Sequence, residues 1–291
     1  MKRKLTEADG RHVVAARLRK DLSAIFELPC VPRDVPPAPQ PAAFVGALYA
    51  YQRRSLARML EIERGAPFTV QVSPSIARTY APKGGVVADT VGMGKTAQLI
   101  ALMLARPRGG DDADAIGALV LTPEHLCHQW RAELEKFARG ALNVAVATND
   151  IEAASIKGAW AARAAAAAAA RGAKPAPQRV LVASLEHACE AGAAFFARLG
   201  AAGAARAGRL VLDECHDAVL LDGGRAMETL AQLRDRAERV WCVTGTPFPE
   251  GDRSVFGLHQ LLGVPVRFVL SNSPFAARAG GGGGGLSLIH I

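Results

Sequence analysis

Three short clusters in this chain combine phosphate-handling residue types with backbone freedom, and each follows an apolar run. The first is Gly85-Val86-Val87-Ala88-Asp89-Thr90-Val91-Gly92-Met93-Gly94-Lys95-Thr96. A buried strand running into a glycine turn, with a helix from Thr96, aims backbone N–H groups at phosphates. Lys95 would reach the β and γ phosphates of a nucleotide, and Thr96 would ligate Mg²⁺. The strict phosphate-loop pattern asks for glycine where Asp89 stands; here Gly92 and Gly94 supply the freedom. The second cluster, Arg209-Leu210-Val211-Leu212-Asp213-Glu214-Cys215-His216, ends an apolar strand in two acids. By itself such a pair is often a helix cap. Downstream of a phosphate loop, at the carboxyl edge of a sheet, Asp213 would hold Mg²⁺ and Glu214 would polarise an attacking water. The third, Trp241-Cys242-Val243-Thr244-Gly245-Thr246-Pro247, is again a strand ending in small hydroxyl residues. It suits an element that senses a γ-phosphate.

These clusters need a scaffold that brings strand ends together. From Tyr51 onward, Val- and Leu-rich runs fall at 85–89, 118–122, 144–148, 180–184, 210–213 and 240–244. Helical stretches lie between them near 97–105, 124–139, 186–199, 225–236 and 255–262. Continuous apolar strands alternating with amphipathic helices predict a doubly wound parallel sheet with helices on both faces. Residues 1–45 read as an extension: an amphipathic helix over 1–28 (Val14, Leu18, Leu22, Ile25, Phe26), then a proline-rich linker over 29–41. The alanine run 159–171 has no apolar stripe of its own and reads as part of a low-complexity insertion near 151–178. The main domain is expected over 46–275. The tail 276–291 holds the glycine run 280–285 and Leu286-Ser287-Leu288-Ile289-His290-Ile291. Those six residues are one translation of a transposon-based sequencing adaptor end. The tail is therefore expected to be an artefact, with the natural chain continuing beyond about Arg278.

Composition narrows the classes. Half of the 291 residues are hydrophobic, enough for one substantial core. No apolar run reaches the length of a membrane span, so a soluble protein without a membrane partner is expected. The five cysteines form no CxxC pair and read as buried or incidental thiols. Glu124-His125-Leu126-Cys127-His128 has metal-ligand residue types but reads as plain helix. Trp130, Trp160 and Trp241 are spaced as packing residues. A net charge of +8 is compatible with a polyanionic partner, although scattered arginines are usually a solvated surface.

The ordered set is more specific than any of its parts. Tyr51-Gln52, Asp89 with Gly92-Met93-Gly94-Lys95-Thr96, Leu121-Thr122-Pro123 with Gln129-Trp130, Asp213-Glu214-Cys215-His216 and Thr244-Gly245-Thr246-Pro247 resemble the first RecA-like lobe of superfamily-two helicase-related proteins, and among them the Swi/Snf ATPases. The long interval from Gln52 to Asp89, Trp241-Cys242 before Thr244, and Val255-Phe256-Gly257-Leu258 leading to Leu261-Leu262-Gly263-Val264 resemble the branch of helicase-like transcription factor and its RING-bearing relatives. The resemblance implies a P-loop NTPase fold, ATP and Mg²⁺ as cofactors, and double-stranded DNA, within chromatin, as partner. It implies nuclear localisation in a eukaryote and a second RecA-like lobe in cis. It implies that Gln52 contacts adenine, with Asp89, Gly92, Met93, Gly94, Lys95 and Thr96 around the phosphates. Thr122, Pro123 and Ser184 are then expected to touch the DNA backbone, and His216, Thr244, Gly245 and Thr246 to couple nucleotide state to DNA.

The sequence also departs from the family pattern. Thr90 stands where glutamate is usual, and Cys215 where alanine is commoner. The arginine finger of a second lobe, worth about 10³ to 10⁵ in rate in related NTPases, is absent. Two other readings therefore stay open: a non-catalytic single-lobe binding module, and a P-loop NTPase indifferent to DNA.

Overall fold

The computed structural model describes residues 35–73, 76–80, 82–108, 116–171, 177–192, 194–195, 206–216, 223–246, 257–258 and 260–262. The chain runs α1 (Ala50–Glu63), β1 (Phe68–Ser73), β2 (Ile76–Tyr80), β3 (Gly84–Val87), α2 (Lys95–Ala105) and β4 (Ala118–Thr122). A 3₁₀ turn (Glu124–Leu126) leads into α3 (Cys127–Ala138), β5 (Leu142–Ala147), α4 (Asp150–Arg171), β6 (Gln178–Ser184) and α5 (Leu185–Ala191). β7 (Ala207–Leu212), α6 (Gly223–Asp235) and β8 (Ala237–Val243) follow. β1 and β2 form an antiparallel hairpin of their own; the other six strands form one parallel sheet in the order β3-β8-β7-β4-β6-β5.

The sheet is apolar on both faces because successive strand side chains point opposite ways. Leu119 and Leu121 of β4 join one core cluster while Ala118 and Val120 join the other. Leu210 and Leu212 of β7 oppose Val211 in the same way, as Val240 and Cys242 of β8 oppose Trp241 and Val243. Each face needs a helical cover. Helices α1, α2 and α3 supply Leu56, Met59, Ile100, Leu102, Trp130 and Leu134 to one side. Helices α4, α5 and α6 supply Ile156, Trp160, Leu185, Ala188, Leu230 and Leu233 to the other. Burying each large aliphatic side chain stabilises the fold by about 1.5–3 kcal/mol. The doubly wound α/β class read from the sequence is the one observed.

Three local features differ from the sequence reading. From residue 35 on, the proline-rich stretch packs against the domain. Ala38 is buried and exchanges bonds with Arg53: Ala38 N to Arg53 O at 3.0 Å, and Arg53 Nε to Ala38 O at 2.7 Å. Phe44 stacks on Phe137 of α3 with ring centroids 5.0 Å apart. Helix α4 is not wholly a surface insertion, because Ala153, Ile156 and Trp160 form an apolar stripe at helical spacing and lie in the core. Beyond Trp160, Ala161, Ala162, Ala165, Ala166 and Ala169 are exposed, as an alanine run without a stripe should be. The hairpin β1–β2 and helix α1 were not anticipated. The helix expected over 255–262 is described only at 257–258 and 260–262, and the amino-terminal helix and the glycine-rich tail lie outside the described residues.

Helix α1 is fixed to the sheet by a buried ion pair at its carboxyl end. Arg209 Nε donates to Glu63 Oε1 at 2.6 Å and Arg209 Nη2 to Oε2 at 2.7 Å, with both side chains fully buried. Trp241 Nε1 donates to Glu63 Oε1 at 3.1 Å, and Arg239 Nη2 to the Glu63 carbonyl at 2.7 Å. Strands β7 and β8 thus hold one end of the helix whose other end carries Gln52.

Candidate nucleotide-binding site

The strand order decides which motifs meet. Along the carboxyl edge from β3 to β6, the strand ends deliver Asp89, then Thr244, Asp213, Thr122-Pro123 and Ser184. Residues far apart in sequence become neighbours because β8 and β7 insert between β3 and β4.

The loop after β3 makes the expected turn into α2, which begins at Lys95. Gly92 and Gly94 have φ of 86° and 72°, the left-handed region that glycine enters without a steric penalty. Close approach is a second reason for glycine at 94: a Cβ there would lie 2.5 Å from Gln52 Nε2. Asp89 is not among the described residues with positive φ, so its backbone has no need of glycine. Its carboxylate accepts from Gln98 Nε2 at 2.7 Å, and its carbonyl from Lys95 Nζ at 2.9 Å. The start of α1 braces the same loop. Tyr51 Oη and Gln52 Nε2 both donate to the Met93 carbonyl, at 3.1 and 3.2 Å, and Gln52 Oε1 accepts from Tyr49 N at 2.9 Å. The α2 N-terminus has no side-chain cap. First-turn N–H groups in that setting favour an anion.

Opposite the loop stand the two acids. Asp213 is 8% exposed. Its Oδ2 accepts from Trp130 Nε1 at 2.6 Å and from Thr122 Oγ1 at 3.1 Å. Burial raises its pKa above the usual carboxylate value, against the hydrogen bonds from Trp130, Thr122 and the Glu214 amide and the charge of Lys95. Glu214 has φ of 45°, a conformation costing a non-glycine residue about 1–3 kcal/mol. Its carboxylate lies 3.3 Å from His216 Nδ1, which is 2.9 Å from Thr244 Oγ1. That hydroxyl also accepts from Thr246 N at 2.9 Å. Gly245 abuts the loop, since a Cβ there would meet Val91 Cγ2 at 2.8 Å and Lys95 Nζ at 3.7 Å. A continuous set of contacts therefore runs from the loop before α2 through Gly245, Thr244 and His216 to Glu214.

A cleft of about 560 Å³ joins these parts, lined by Tyr51, Gln52, Gly92, Gly94, Lys95, Thr96, Trp130, Asp213 and Glu214 among others. Thr96 and Asp213 offer the hard oxygen donors that suit Mg²⁺. The donor set fits the ion too: the Trp130 and Thr122 donors on Asp213 are neutral, so neither cancels the carboxylate charge that a cation would meet.

Three expected positions behave differently. Thr122 and Ser184 are fully buried. The Thr122 hydroxyl is committed to Asp213, while Ser184 Oγ donates to Glu186 Oε2 at 2.7 Å and accepts from His187 N at 3.1 Å. Pro123 is buried as well. These side chains are buried and hold the edge together. Conversely, Trp130, Gln98 and Tyr51 reach the site, and the sequence reading gave them no role there. Gln98 could have been suspected from its place one helical turn after Lys95. Nothing local to Trp130 signals Asp213.

The chain is similar to known proteins. It is 32% identical over 146 residues to the DNA (cytosine-5-)-methyltransferase DMT5 of Cryptococcus neoformans, covering 42% of this chain and 6% of that protein. It is 32% identical over 112 residues to the ATP-dependent helicase rhp16 of Schizosaccharomyces pombe, covering 38% of this chain and 11% of that one. The matched stretch is thus a small part of each relative. Among solved structures, the UvsW helicase of bacteriophage T4 aligns over 88% of this chain and 66% of its own, at 11% identity and a TM-score of 0.41. The fold assignment rests on the sheet order and not on that alignment. The family match is broader: over residues 51–270, from the helix that braces the glycine turn to beyond the third motif, the chain matches the SNF2-related domain, and it belongs to that family.

Proposed function

We propose that this domain binds and hydrolyses Mg-ATP and, within a whole protein, drives translocation along double-stranded DNA. The observation that carries the reading is the single cleft in which Lys95, Thr96, Asp213 and Glu214 converge. Gly94 and the first turn of α2 would take the phosphates, with Lys95 against the terminal ones. Thr96 and Asp213 would hold Mg²⁺, which when bound neutralises phosphate charge. Glu214 would accept a proton from the attacking water. Gln52 would read adenine, and its bond to Met93 ties that reading to the loop. His216, Thr244, Gly245 and Thr246 form the coupling element.

The DNA contact falls to exposed residues of the turns following β4 and β6, and not to the side chains of Thr122, Pro123 or Ser184. It rests on phosphates, so it is salt-dependent and has little sequence preference. No arginine lines the cleft among the described residues. The cation that would stabilise transition-state charge is then supplied from a second RecA-like lobe in cis. A remodelling or DNA-repair ATPase acting on chromatin in a nucleus, of the branch that bears RING domains, extends the same reading.

The test is ATP turnover by the whole protein with and without duplex DNA. Duplex should stimulate hydrolysis strongly, and Lys95→Ala should abolish the stimulated turnover. Hydrolysis indifferent to DNA would point to an ordinary P-loop NTPase. Nucleotide binding without any turnover would point to a binding module.

A further inference from the structure

Trp130 makes the shortest hydrogen bond recorded for the Asp213 carboxylate, yet it belongs to a different motif. Its indole N–H reaches Oδ2 at 2.6 Å, from a side chain 3% exposed on α3. The Thr122 hydroxyl reaches the same oxygen at 3.1 Å. Both donors come from the β4–α3 unit, and neither side chain takes Oδ1. A carboxylate rotates about its terminal bond over a broad, roughly two-fold torsion. Two rigid donors on one oxygen remove that freedom and fix how the carboxylate faces the cleft, with the Glu214 amide as a further backbone donor.

We propose that Trp130 is a positioning residue: it holds Asp213 so that one carboxylate oxygen is presented to the metal of a bound metal–nucleotide complex. This rests on the Mg-ATP reading of the cleft. The choice of tryptophan has a physical reason. The indole is a donor only, so it cannot compete with the carboxylate for the cation. Being neutral, it orients the carboxylate without cancelling its charge, as a lysine or arginine would. The ring also packs in the core cluster of α1, α2 and α3. Its N–H is therefore held by packing as well as by the bond it makes. The segment after Thr122-Pro123 is thereby tied mechanically to the metal carboxylate.

The experiment is nucleotide affinity measured on the whole 291-residue chain, with ADP alone and with ADP plus Mn²⁺, the bound ion being read by its paramagnetic resonance signal. The wild-type chain should bind ADP more tightly with Mn²⁺ than without. Trp130→Phe, which keeps a ring and removes the donor, should lower metal-free ADP affinity by far less than it lowers the gain that Mn²⁺ brings. It should lower affinity for Mn²⁺ in the complex by about 10-fold or more, the usual cost of losing an outer-shell partner. Thr122→Val, isosteric and free of a ring cavity, should lower it in the same sense by less, and it serves if Trp130→Phe does not fold. Full metal-dependent gain in a folded Trp130→Phe chain, or in Thr122→Val if that alone folds, would overturn the proposal and leave the Mg-ATP reading standing. No metal-dependent gain in the wild-type chain would remove the reading itself.

Discussion

Among the described residues two carboxylates lie buried, and each accepts a hydrogen bond from a tryptophan indole. At the amino edge of the sheet, Glu63 receives Trp241 Nε1 and a two-pronged contact from Arg209. At the carboxyl edge, Asp213 receives Trp130 Nε1 and the hydroxyl of Thr122. The difference lies in the charge of the partners. Burial works to raise the pKa of Glu63, but Arg209, Trp241 and Arg108 outweigh it and hold the carboxyl below its usual range. For Asp213 burial wins, and the pKa rises. A carboxylate saturated by a guanidinium is a structural joint. One oriented by neutral donors alone keeps a charge that a cation can still answer.

The largest effect expected from this contrast is on chemistry. Asp213→Asn keeps an acceptor for Trp130 and Thr122 but discards the charge, so ATP turnover by the whole protein should fall by about 10³-fold, roughly 4 kcal/mol. Its melting temperature should rise, because a buried charge whose side-chain hydrogen-bond donors are both neutral has been removed. A fall in melting temperature would show that the two sites are alike. The reverse applies to Glu63→Gln. Leaving Arg209 buried without its counter-charge should cost about 3–5 kcal/mol in denaturant unfolding.

The same pair should also separate by pH. With its folded pKa lowered, Glu63 contributes stability that is present above its unfolded value near 4.5 and is lost as pH falls through the folded value. The gap in stability between wild type and Glu63→Gln should therefore narrow on acidification. Asp213 has the opposite sign: its folded pKa is raised, so the cost of its charge is relieved as pH falls through that value. The smallest effect is expected from Trp241→Phe, about 1–3 kcal/mol of stability, with Mn²⁺ affinity in the ADP complex unchanged. A loss of metal affinity there would mean that either indole matters only through packing.

How much of this was legible beforehand varies with the range of the interaction. Strand runs such as Val180–Ser184 and Ala118–Thr122 were evident because burial on both faces demands an unbroken apolar run. Lys95, Thr96 and Asp213-Glu214 stand out in the sequence because phosphate chemistry would need those residue types at strand ends, and the structure brings them to one cleft. The apolar stripe of α4 was obscured by the alanines that follow it, where composition outweighed the spacing of Ala153, Ile156 and Trp160. Packing of residues 35–49 was hidden too, since prolines fix local φ without saying what the extended chain lies against.

The sequence by itself determined the parallel α/β class, the turn at Gly92 and Gly94, and the residue types at the strand ends, all of which follow from periodicity and local chemistry. Only the tertiary structure decided the order β3-β8-β7-β4-β6-β5, the pairing of Glu63 with Arg209, and the contact of Trp130 with Asp213. The reason is physical. Local patterns fix which face of an element is apolar. Which buried donor meets which buried acceptor depends on how the layers stack, and no residue carries that information alone.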